Sequence, residues 1–411
     1  MTYHDHHIHP LGYAALVGGL DLMDARDLDD VLARVAAHAE KVTGPVIAQR
    51  LNDEGLREGR LPTATDLDPV TGDRPVLAHR YCGHIAVANT AALKLAGVDA
   101  TTPDPPGGSF DRLPDGTPTG ILRETAVGAV TSALAPLVPP PGDTEILDAF
   151  KQLTSMGIGS VTGIVSVGEP LWCGVADELG ALMRLAPDLP IGMDVLVITQ
   201  DPAALAAARE TLERAGGPVG FRGLKIFADG SLGGHTAALH QPYADRRDTR
   251  GVLRLDAARD LSLAEAALEI GGTVAIHAIG DRAVDEVLDL FTELIHRGAP
   301  SHRLRMEHAS LLTDQAVERM AELGIVASVQ PAFLPSEATW LEKRLGPERM
   351  GTAYRFRSLL EAGVRVIGGS DAPVELPDPE TGIAAAVHRH GINPGEAVTR
   401  SQAEALFLPP S

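Results

Sequence analysis

From Asp143 onward the chain alternates short apolar runs with amphipathic helical patterns, and this rhythm restricts the fold more than any other feature. Ile146, Leu147, Phe150 and Leu153 share one face of a helix predicted from Asp143 to Met156, which stops at Gly157. Strand-like runs then recur: SVTGIV (160–165), MDVLVI (193–198), GLKIF (223–227), TVAIHAI (273–279), RLRMEHA (303–309), VASVQP (326–331) and RVIGGSD (365–371). Helical patterns separate them. Asp201 and Pro202 read as an N-cap and first-turn proline, and Val284, Val287, Leu288, Phe291 and Ile295 share a face over 281–297. The opening stretch DHHIHP (5–10) supplies one more strand. Eight strands with helices between them predict a closed parallel (β/α)8 TIM barrel. A doubly wound open sheet is the rival, but no glycine-rich phosphate loop follows the first strand.

One segment breaks the rhythm. A helix with Leu28, Val31, Leu32, Val35 and Val42 inward is assigned to the barrel, whereas 44–141 is rich in Pro, Gly and Asp. It carries the strand-like pieces VIAQRL and PVLAHRY, a short helix in NTAALKLAG and a hairpin turn at Asp115-Gly116. The expected organisation is a barrel over 1–43 and 142–411, with 44–141 as an inserted α+β cap subdomain.

Composition narrows the partners. The net charge of −20 argues against nucleic acid or an anionic membrane surface, because no basic patch could dominate that field. Cys82 and Cys173 lack zinc-type spacing and read as free thiols of a reducing compartment. No apolar run approaches the roughly 18 residues of a membrane span, and no signal-peptide pattern opens the chain, so a cytoplasmic protein is expected. The oligomeric state stays open, a homodimer being among the options.

Chemistry in such a barrel sits at the C-terminal ends of the strands. His7 and His9 straddle Ile8, so an extended strand points both imidazoles the same way, where they can share a metal; a terminus also carries histidines by accident or from a tag. His277 shares its face with the small Ala275 and points inward if the larger residues pack on helices, as a ligand or as a satisfied core histidine. His308 has the same two readings, with Glu307 as a carboxylate that can orient a ligand. Asp371 ends an apolar strand and needs a cation or donors if buried; otherwise it caps a helix. Lys225, between Leu224 and Ile226, lies in a strand expected to be buried on both faces. It either loses its proton and takes up carbon dioxide as a carbamate, or pairs with Asp229.

In this order the set resembles the amidohydrolase superfamily, and most closely its branch with N-substituted formamide deformylases, related to D-aminoacylases. The resemblance rests on DHHIHP, GHIAVANTAALKLAG, PTGILRE, KIFADGSLGG, HAIGDRAVDEVLD, RMEHA, SVQP and GSDAPV, from residue 5 to about 387. It implies His7 and His9 on one metal, His277 and His308 on a second, carbamylated Lys225 bridging two zinc ions, and Asp371 as both ligand and general base. It further implies Glu124 as an additional candidate ligand and His84 and Asn89 as substrate contacts; His235, in the loop after strand four, and Gln330, in SVQP, are further candidates for the substrate.

The resemblance implies metal-assisted hydrolysis of an amide-type C–N bond in a small molecule, an N-substituted formamide or N-acyl amine. Deamination is the runner-up, although the related deaminases carry a glutamate where this chain has Gly280. Carbamate, lactone or phosphoester hydrolysis and a non-catalytic metal-binding barrel stand behind it. Three departures from the family pattern bear on substrate and architecture. The flanking β-sandwich is expected to be missing, His235 stands where arginine is frequent, and Ala332-Phe333-Leu334 follow SVQP in place of a histidine-aspartate pattern.

Overall fold

Eight parallel strands form one sheet in the order in which they occur along the chain. They are β1 (Tyr3–Ile8), β2 (Ile158–Ser166), β3 (Gly192–Ile198), β4 (Val219–Phe227), β5 (Thr273–Ala278), β6 (Leu304–His308), β7 (Val326–Val329) and β8 (Arg365–Gly368). The structure is a computed structural model that describes residues 2–81, 83–105, 107–138, 141–168 and 177–410; Cys82 and Cys173, and with them the expectation of free thiols, lie outside the described residues. The sheet curls until a parallel bridge between Ile8 and Ala372 joins its edges, giving a nearly closed (β/α)8 barrel. Ile164, Leu196 and Ala275 fill the centre of the barrel, which puts Ala275 and the same-face His277 on the inside.

The helices form where amphipathic patterns predict them, at Asp143–Ser155, Pro202–Ala215 and Asp281–His296. Asp201 caps the second by accepting from the Ala203 N–H at 2.9 Å. No helix among the described residues is long and apolar enough to cross a membrane.

A bulge in β1 is the main departure from regular geometry. Asp5 stands opposite Val161 and Ile8 opposite Gly163, so three steps on β1 match two on β2. The extra residue shifts the strand's alternation. His4 reaches Ser160 Oγ at 2.7 Å and Thr162 Oγ1 at 3.0 Å near the N-terminal end of the barrel, while His7 and His9 face the opposite end.

The chain divides into two compact units, and residues 11–146 belong to the second. This corrects the boundary expected at residue 44. The helix Leu28–Ala39 buries Leu28, Val31 and Val35 against Val46, Ala48, Leu67, Val76 and Val87 of the second unit. That unit carries a six-stranded mixed sheet, in the order Leu20–Asp21, Val46–Leu51, Val76–Arg80, Ile85–Ala88, Pro118–Glu124 and Gly108–Arg112. Its last two strands form an antiparallel hairpin, with Gly116 at φ +89° in the turn, a conformation that glycine adopts without steric cost.

Candidate metal centre

His7, His9 and Asp371 bring three donor atoms within 4.8 Å of one another at the C-terminal end of the barrel, all buried. The geometry follows from how β1 meets the segment after β8. Asp371 N–H donates to His7 O at 2.7 Å and His9 N–H to Ala372 O at 2.8 Å. Asp5 locks the same junction, its Oδ1 accepting from the N–H groups of His7 (3.0 Å) and Ser370 (3.1 Å) and its Oδ2 from Ser370 Oγ (2.6 Å). Gly369 permits the approach, since a Cβ there would stand 2.5 Å from His7 N and 2.7 Å from its Cβ.

Asp371 Oδ1 lies 3.2 Å from His7 Nε2 and 3.3 Å from His9 Nε2. Yet Asp371 Oδ1 and His7 Nε2 are both buried without a hydrogen bond. Burial alone would raise the Asp371 carboxyl, but His7 and His9 hold it well below the usual carboxylate range. His7 Nδ1 is bonded to Glu307; burial and Lys225 oppose a charge on the ring, yet Asp371 and Glu307 raise its pKa, so a cation that binds Nε2 displaces the proton that faces the Asp371 carboxylate. Arg305 in turn bonds Glu307 Oε2 at 3.0 Å, keeping that fully buried acid ionised. An imidazole nitrogen oriented by Glu307 and an anionic oxygen, side by side in a dry site, suit a cation between them.

The remaining ligand candidates adjoin this pair. His308 stands 4.9 Å from His7 and 4.4 Å from His277, between ring centroids. Its Nδ1 bonds Gln330 Oε1 at 2.7 Å, directing Nε2 inward. His277 Nε2 bonds Gly230 O at 3.0 Å, which places the lone pair on Nδ1. Lys225 is 1% exposed, its Nζ has no hydrogen-bond partner and sits 4.7 Å from the Phe227 ring centroid. Burial pushes its pKa down to about 8. His308, Ala309 and Asp371 all have positive φ, a backbone cost that clusters at functional sites.

The profile of the amidohydrolase family matches residues 4–407. The chain belongs to the amidohydrolase family. A putative amidohydrolase, YtcJ of Bacillus subtilis, is 34% identical over 408 residues, covering 98% of this chain and 75% of that one. The N-substituted formamide deformylase of Arthrobacter pascens is 29% identical over 400 residues, covering 92% and 72%. An uncharacterized metal-dependent hydrolase from Pyrococcus furiosus superposes with a TM-score of 0.73 at 32% identity, over 99% of this chain and 80% of the other. The protein is thus a hydrolase of a family that works with a divalent metal.

In this amidohydrolase Asp229 does not pair with Lys225. Its carboxylate accepts from the N–H groups of Ile279 (3.0 Å), Gly280 (2.8 Å) and Ala238 (2.8 Å), and lies 3.3 Å from His277 Nε2. The sequence presents Asp229 only as a counter-ion, though an acid just past a strand end is a signal for loop positioning. Arg305 and Asp5, as supports of the ligands, carry no such signal in the sequence.

Asn89 requires a correction. Expected at the substrate, it is wholly buried and its amide is saturated within the second unit. Oδ1 accepts from Val76 N and Ala92 N, and Nδ2 donates to Thr71 Oγ1 and Arg74 O, all at 2.9–3.0 Å. It caps the helix Thr90–Leu95. In the same unit His84 Nδ1 pairs with Glu124 Oε2 at 2.9 Å. In the loop after β4, His235 Nε2 bonds Asp245 at 3.1 Å, and Arg344 grips the same carboxylate.

Proposed function

We propose that the protein hydrolyses an amide-type C–N bond, in an N-substituted formamide or an N-acyl amine, in the cytoplasm. The observation that carries this reading is the convergence of three buried polar atoms without hydrogen bonds, His7 Nε2, Asp371 Oδ1 and Lys225 Nζ, from three different strand ends. A neutral imidazole and a carboxylate form the donor set of a borderline cation such as zinc, and a lysine whose amine is readily deprotonated can become a carbamate oxygen ligand. The residues therefore fit two ions, His7, His9 and Asp371 serving one and His277 and His308 the other, with Lys225 as the bridge. Ions bound there would make water nucleophilic at neutral pH and polarise the scissile carbonyl.

The protein's own groups do the rest. Asp371 takes the proton of the attacking water, which becomes acidic as its oxygen bonds to the carbonyl carbon, and delivers it to the nitrogen, which needs a proton as the C–N bond breaks. Glu307 and Gln330 keep His7 and His308 in the tautomers that face inward. Gln330 Nε2, buried without an acceptor, is assigned to donate to the substrate, and His235 is assigned to its discrimination. Gly280 occupies the position of the deaminase glutamate, which favours hydrolysis over deamination.

The test is a panel of N-substituted formamides, N-acyl amines, carbamates and lactones offered to zinc-reconstituted protein, with released acid measured. Turnover of formamides or N-acyl amines, lost on chelation and restored by metal, is the expected result. A folded, metal-loaded protein inert on the amides but active on lactones or carbamates would replace this reading.

A further inference from the structure

A second polar cavity opens at the other end of the barrel. Every strand except β3 contributes to its wall, with His6, Thr162, Arg222, Arg305 and Arg365 supplying polar groups around a narrow pocket that opens to solvent. His302, in the turn before β6, also lines it, and Arg303 is its neighbour in the chain. Its charge is one-sided. Arg305 is matched by Glu307, but the guanidinium groups of Arg222, Arg303 and Arg365 have no carboxylate within 4.0 Å and no hydrogen bond among the described residues. Arg222 Nε is buried without a partner.

That is an unusual arrangement in a chain of net charge −20, where an acid is abundant for almost any arginine. Burial and the crowding of Arg305, Arg365 and Arg303 lower the Arg222 pKa against the opposing pull of Asp194. Arg305 is buried and Arg222 partly so, which keeps their charges close, while the exposed Arg365 at the rim can turn toward an anion that enters. A planar fork of N–H donors matches an oxyanion in particular.

We propose that this cavity binds a small free oxyanion of the phosphate or sulfate class. The site is separate from the metal centre, since it lies at the N-terminal end of the strands, where barrels place stability rather than chemistry. Occupation stabilises the fold by mass action and does not require turnover.

The experiment follows thermal unfolding and calorimetric titration of the metal-loaded full chain in inorganic phosphate against chloride at matched ionic strength. Phosphate stabilises proteins non-specifically as well, so the decisive comparison is with the double variant Arg222→Gln/Arg365→Gln. The parent should show a saturable rise of roughly 2–4 °C in Tm, and the double variant only the weak non-saturating part. Lys225→Ala should retain the saturable rise, separating this ion from phosphate on the metal centre. In chloride the double variant should unfold at or above the parent's temperature, because it loses repulsion and no pairing. A saturable rise of equal size in both proteins would overturn the proposal. So would the lack of any saturable rise in the parent, or a double variant much less stable than the parent in chloride.

Discussion

Glu307 accepts the Nδ1 hydrogen bond of His7 across 300 residues of sequence, and Arg305 holds the same carboxylate from its own strand. One buried acid thus fixes the tautomer of a proposed metal ligand and neutralises a buried guanidinium. Glu307→Gln keeps the size but removes the charge, weakening the ligand and leaving Arg305 uncompensated. Metal affinity should fall by about 10- to 100-fold, with a lower Tm. Competition with a chelator measures it, and unchanged affinity would show that His7 needs no such support.

Asp371 separates metal binding from proton transfer. An asparagine oxygen can still touch a metal, but an amide cannot accept and return the proton. Asp371→Asn should therefore keep its fold and most of its metal while kcat falls by roughly 100-fold or more. Turnover within a few-fold of the parent, in a metal-loaded variant, would move the general base elsewhere.

Lys225 carries a dependence on pH. Its pKa is lowered from 10.5 to about 8, so between those values the unfolded chain binds a proton that the folded one does not. Stability of the metal-free protein should consequently rise with pH across that window, and Lys225→Met should abolish the slope. The same neutral amine is what attacks carbon dioxide, losing a proton as the carbamate forms. Reconstitution with metal should improve with added bicarbonate, increasingly so toward pH 8, and Lys225→Ala should be indifferent to it. Identical reconstitution with and without bicarbonate would require a different bridge.

Asn89 should behave as a structural residue. Asn89→Ala leaves two backbone N–H groups without their acceptor and removes a helix cap, at a cost of roughly 2–4 kcal/mol. Activity per folded molecule should be unaltered. A changed KM at full stability would restore it to the substrate site.

Much of the barrel is legible before folding because burial imposes period two on strands and a stripe on helices, and each run of this chain is long enough to display one or the other. The odd residues stand out for the same reason: a lysine between Leu224 and Ile226, and paired histidines around Ile8, break a pattern whose cost is local. The unit boundary is different in kind. The stripe on Leu28–Ala39 says that the helix buries a face, but amphipathicity carries no address, and only the folded chain shows that its partner is Val46–Leu51 and the neighbouring strands. Asn89 misleads because a capping amide and a substrate-binding amide are the same chemistry until their acceptors are seen. The bulge after Asp5, the carboxylate shared by His7 and Arg305, and the unpaired arginines at the far end of the barrel depend on which strands become neighbours. Sequence by itself determined which residues had to be inside; closure of the sheet decided which of them face one another, because those contacts span hundreds of residues that local periodicity cannot connect.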